Sequence, residues 1–211
     1  MAMLLRHSVM LIIVWFLMGV LPGTMAWGGV ETHMSFPVSM LDFSKHPVNQ
    51  KIRQLIYENK NEELREFLSS NVNVNIADSK RVSPIHYAAY KGHVLAMRML
   101  IQRGANPMAT VFGGWTALHY AAFGGHPEVV NILLSMGVPV DVRDVGGESP
   151  LFYAVEAGHL SMARLLVEHG ANIHFPNNKG ETPFEIASKL ENKDIINYFK
   201  TVSQKAPPAR L

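Results

Sequence analysis

The chain has 211 residues, no cysteine and a formal charge of +2, with 48% apolar residues. The absence of cysteine excludes structural disulfides and thiolate zinc sites. Near-neutrality, with no basic stripe, excludes nucleic acid as the expected partner; without residues 1–26, which carry Arg6 and no acid, the excess of bases is a single charge.

Residues 1–26 have the layout of a secretory signal peptide. Arg6 supplies a basic start, Ser8–Leu21 is an unbroken apolar run apart from its small residues, Pro22-Gly23 breaks it, and Thr24-Met25-Ala26 offers small residues for cleavage. The run is shorter than the roughly 20 apolar residues a spanning helix needs. The expectation is export, secreted or periplasmic, with a mature chain that begins at Trp27; an uncleaved, membrane-anchored form is the alternative. Residues 27–47 show no period and read as a linker, with Met40–Phe43 able to rest on the first helices.

From about residue 50 the chain repeats itself every 33 residues. Ser83–Gly104 reads SPIHYAAYKGHVLAMRMLIQRG, Thr116–Gly137 reads TALHYAAFGGHPEVVNILLSMG, and Ser149–Gly170 reads SPLFYAVEAGHLSMARLLVEHG. A reduced copy starts at Thr182, and a half-matched one occupies about 50–82. A fixed period of this length marks a stacked array in which each unit covers its neighbour's apolar face. The expected units are 50–82, 83–115, 116–148, 149–181 and 182–203, within a domain of 48–203; the first and last are polar capping units and 204–211 is a disordered tail.

Within each copy the same signals recur. Ser83, Thr116 and Ser149 stand where an N-cap hydroxyl satisfies a free helix N–H, and Pro84 and Pro150 take the first helical position. A short helix rich in small residues follows, with Ala88-Ala89, Ala121-Ala122 and Ala154. It stops at Gly92, Gly125 or Gly158. A second helix carries Leu100-Ile101, Leu133-Leu134 or Leu166-Val167 and stops at Gly104, Gly137 or Gly170. The segment after that glycine reads as a β-turn finger, closed at Gly114, Gly147 and Gly180. The first unit has helical spacing at Ile52, Leu55, Ile56, Leu64 and Leu68 with a polar remainder. The last loses both Gly and His at Glu191-Asn192.

These motifs resemble the ankyrin repeat: tetrads SPIH, TALH, SPLF and TPFE, the pairs Gly92-His93, Gly125-His126 and Gly158-His159, and the turns Gly104-Ala105-Asn106 and Gly170-Ala171-Asn172. The resemblance covers about 50–203. Its departures are Val111 where Asp78 and Asp144 stand elsewhere, Gly137-Val138-Pro139 in place of the usual turn, and Phe152 in place of the tetrad histidine. It implies an all-α solenoid of helix-turn-helix pairs whose finger tips and short-helix ends line a concave binding face. It also implies that His86, His119, His93, His126 and His159 tie turns and helices together and are not ligands.

No catalytic or phosphate-cradling motif occurs, so the expectation is a protein without enzymatic activity, cofactor or metal. In the frame of the repeat, the residues left for a partner include Tyr90, Lys91 and Arg103 in one unit. Phe112, Trp115, Phe123 and Met136 follow in the next, then Glu156 and His169. Val145 also falls on that face. The concentration of aromatic residues around the middle unit points to protein binding, since such residues dominate interface energetics. The expectation is a monomeric, exported scaffold for a protein partner of unknown identity, touching a membrane only if its N-terminus is uncleaved. An inhibitor or immunity-type protein for a co-exported enzyme, a stress-protection factor in oxidative defence, and a membrane-tethered adaptor are the alternatives.

Overall fold

Helix pairs follow one another along the chain at the spacing of the repeat. The computed structural model describes residues 47–205; the expected signal peptide, most of the expected linker and the end of the expected tail lie outside the described residues. The pairs are α1 (Pro47–Tyr57) with α2 (Asn61–Ser69), α3 (Pro84–Lys91) with α4 (Val94–Gln102), and α5 (Ala117–Gly124) with α6 (Pro127–Ser135). Then come α7 (Pro150–Glu156) with α8 (Leu160–Glu168), and α9 (Pro183–Lys189) with α10 (Lys193–Lys205). The odd-numbered helices pack on one another in order, α1 on α3, α3 on α5, α5 on α7 and α7 on α9. The even-numbered helices form a second layer, with α2 against α4, α4 against α6 and α8 against α10.

The sequence explains why the first layer is so close-packed. Ala88, Ala89, Ala121, Ala122 and Ala154 have no exposed surface, and side chains this small let helix axes approach closely. The second layer contributes larger apolar groups from one face: Leu100, Leu133 and Leu166 are fully buried. Each such leucine contributes about 2 kcal/mol by leaving water. At the array's ends the buried set narrows to Leu64 and Leu68 in α2 and to Ile195 and Phe199 in α10.

Gly92 shows why the helix–helix turn needs glycine. Its φ is +68°, and its N–H reaches back to the Ala88 and Ala89 carbonyls. A Cβ there would also enter the imidazole of His126 from the next unit. That imidazole donates through Nε2 to the Tyr90 carbonyl at 2.9 Å, and His159 does the same to the Phe123 carbonyl at 3.0 Å. A carbonyl can only accept, so each ring carries its proton on Nε2.

Neighbouring loops are joined through their backbones at the tips. Phe112 N–H donates to Lys80 O, Val145 N–H to Gly113 O and Asn178 N–H to Gly146 O, all within 3.1 Å. Each tip is closed internally as well: Val111 N–H donates to Trp115 O, Asp144 N–H to Glu148 O and Asn177 N–H to Glu181 O.

Candidate functional site

The loop tips form one row, joined by the backbone bonds just described. Phe112 and Val145 are its most exposed apolar side chains, at 67% and 73%. They occupy equivalent places in successive units, and the Val145 N–H to Gly113 O bond sets them side by side. Phe123, at the end of α5, is half-buried.

Trp115 does not belong to that exposed set, contrary to the expectation that its ring lies free. It is 7% exposed. The indole centroid lies 4.1 Å from the Tyr153 ring, 5.0 Å from Tyr120 and 6.2 Å from Phe123. Three aromatic neighbours hold it between two units, so it joins the core. Tyr90, 8% exposed, is likewise buried and meets Tyr120 edge-on at 6.3 Å.

The remaining residues divide by layer. Lys91 ends α3 with its Nζ 4.0 Å from the Tyr57 ring centroid, and burial together with the neighbouring Tyr90 raises the Tyr57 phenol to about 12. Glu156 ends α7 and is half-buried. Arg103, Met136 and His169 each follow a second-layer helix instead. All three are exposed. The His169 imidazole donates to Asn131 Oδ1 of α6 at 3.1 Å, which binds it to that layer and away from the loop tips.

The histidines of the tetrads are structural. Ser83 N–H donates to His86 Nδ1 at 3.1 Å, and His86 Nε2 donates to the Ala109 carbonyl at 2.9 Å. Thr116 N–H donates to His119 Nδ1 at 3.0 Å, and His119 Nε2 reaches the Glu148 carbonyl at 3.2 Å. Both rings are neutral, because burial lowers each to about 4. Where Phe152 replaces the histidine, no ring nitrogen is present, and the buried Ser149 Oγ has no hydrogen-bond partner.

Two polar features went unseen in the sequence. One is a network on the third and fourth loops. Tyr153 Oη donates to Asp144 Oδ2 at 2.6 Å and lies 3.0 Å from Glu148 Oε2; Asn177 Nδ2 bridges Glu148 Oε1 and Glu181 Oε2, and Lys189 pairs with Glu181 at 2.7 Å. These groups are committed to one another, and among the described residues no cluster of three or more His, Asp or Glu side chains could hold a metal. The other is Arg81, which stands in the left-handed region at φ +64° where the later loops have Gly114, Gly147 and Gly180. Its signal was available as the one tip position of the period not filled by glycine.

The family described as ankyrin repeats (3 copies) matches residues 53–144 and 137–205. The chain belongs to the ankyrin-repeat family. No curated protein matches it. The ankyrin array is a module of the protein-interaction type, and its helix stack is the all-α packing described above. Among its described residues no helix is long and apolar enough to cross a membrane.

Proposed function

We propose that this ankyrin-repeat protein is a non-catalytic, exported scaffold that binds a protein partner through its loop-tip face. The observation that carries the reading is the side-by-side pair Phe112 and Val145, more than half exposed on a backbone fixed by inter-loop hydrogen bonds. Leaving such side chains in water costs about 2 kcal/mol each relative to burial, and a rigid support spares a partner the entropy of ordering them. The polar first and last units act as caps for the array.

Affinity capture from the exported fraction, comparing the native chain with Phe112→Ser/Val145→Ser, tests this. The expected result is a partner retained by the native chain and lost by the variant at equal thermal stability; undiminished retention rules out the face. Export itself is tested by N-terminal sequencing of the mature protein. Trp27 is the expected first residue, and an intact Met1 would overturn it.

A further inference from the structure

Side chains just beyond the second-layer helices tie neighbouring units together, and the pattern breaks at one junction. Asn75, after α2, clamps the first unit to the second. Its Nδ2 donates to the Gly104 carbonyl and its Oδ1 accepts from Asn106 N–H, both at 2.8 Å. Two units on, Asp141 accepts from Asn172 N–H at 3.2 Å, and His169 donates to Asn131 at 3.1 Å. Those bonds hold unit 149–181 to unit 116–148.

Between units 83–115 and 116–148 the same positions carry other residues. Met108 stands in the place of Asn75 and Asp141, Pro139 in the place of Asn106 and Asn172, and Met136 in the place of His169. A thioether donates nothing and proline has no N–H, so the clamp cannot form. Met108 and Met136 are exposed instead, at 43% and 48%. Among the described residues no hydrogen bond joins α4 or the turn after it to α6 or the turn after it. The two helices do pack, but apolar contact has no preferred direction, and helices held by it alone slide by small shear.

The first-layer side of this junction is bound at three points. His126 donates to the Tyr90 carbonyl at 2.9 Å, Val145 N–H donates to Gly113 O at 2.9 Å, and the Trp115 ring lies 4.1 Å from Tyr153. We infer that the array bends at this junction, with the loop tips and first layer as the pivot and the ends of α4 and α6 as the moving edge. Phe112 and Val145 stay together at the pivot, while the tips at 78–82 and 177–181 swing relative to each other. Resting on the proposed use of the tip row, this makes the curvature of the row adjustable to its partner.

The chain has no cysteine, so introduced cysteines carry spin labels without background. Ser69, Gln102, Ser135 and Glu168 are the last residues of α2, α4, α6 and α8, and all are exposed. Dipolar EPR on the full mature chain compares Ser69→Cys/Gln102→Cys, Gln102→Cys/Ser135→Cys and Ser135→Cys/Glu168→Cys. The middle pair is expected to show a distance distribution about twice as wide as the outer pairs; equal widths overturn the hinge. Met108→Asn with Pro139→Asn supplies the clamp of the first junction and should narrow the middle pair to the outer width. Asn75→Ala should do the reverse, broadening the first pair and leaving the middle one as it was. If the double variant does not fold, Asn75→Ala decides alone, and an unchanged first pair overturns the inference. The labels are read without a partner, so the two readings fail separately. Undiminished capture by Phe112→Ser/Val145→Ser sinks the face reading and leaves the hinge standing, and equal widths do the opposite.

Discussion

The second and third full units, 116–148 with its preceding loop and 149–181 with its preceding loop, solve the same packing problem with opposite chemistry. The loop before Thr116 is apolar, with Val111 and Trp115 buried, and the helix that follows carries in its first turn a histidine bonded at both nitrogens. The loop before Ser149 is polar, with Asp144 and Glu148 gathered on the Tyr153 hydroxyl, and its helix carries in the same turn Phe152, which is 1% exposed. The two meet at one side chain. Tyr153 gives its ring to Trp115 and its hydroxyl to the carboxylates. The repeat thus specifies a backbone and a set of contact distances, and either a dry aromatic cluster or a closed polar network can fill them.

The largest test of this contrast is Trp115→Ala, expected to destabilise the array by about 3–5 kcal/mol in chemical denaturation because three rings lose a common partner. A cost below about 1 kcal/mol would mean that the indole is not part of the core. Acid separates the units next. Unfolded imidazole titrates near 6.5, but His86 and His119 titrate at about 4 when folded. Between those values the unfolded chain binds more protons, so stability is fully present above about pH 6.5 and falls as pH drops toward 4, by at most about 3 kcal/mol per ring. Hydrogen exchange at pH 5 should show α3 and α5 losing protection ahead of α7, whose tetrad has no histidine; equal loss in all three would break the comparison.

A smaller effect is expected at the polar loop. Asp144→Ala removes the acceptor of the Tyr153 hydroxyl and of Glu148 N–H, costing about 1–3 kcal/mol in thermal or urea melts. The smallest belongs to the caps. Thr116→Ala should cost about 1 kcal/mol. Ser149→Ala deletes a hydroxyl that has no partner, so its melting temperature should stay level or rise. A loss equal to that of Thr116→Ala would show that the hydroxyl is satisfied after all.

These differences mark what could be read without a structure. The period gave the equivalence of Ser83, Thr116, Ser149 and Thr182, and with it the order of the helices, because small residues, glycines and leucines recur for backbone reasons. It also gave the equivalence of Phe112 and Val145, whose exposure follows from standing at loop tips. The fate of Trp115 was hidden, because the matching positions hold Val82, Glu148 and Glu181 and say nothing about where an indole turns. Its direction depends on Tyr153, 38 residues on, and on the absence of a carboxylate at Val111. His169 was misplaced for a related reason: its partner, Asn131, lies on the other layer.

The bonds between neighbouring loop tips have a metric consequence. Each links one unit to the next through an amide and a carbonyl, so Phe112 and Val145 repeat with the stacking distance of packed helices, about 8–10 Å. A β-strand places its third neighbour about 10 Å along but turns that side chain to the opposite side. A polyproline II segment returns every third side chain to the same side after about 9 Å. The ladder of tips is therefore a ruler graduated in threes, and it matches a left-handed extended helix better than a strand.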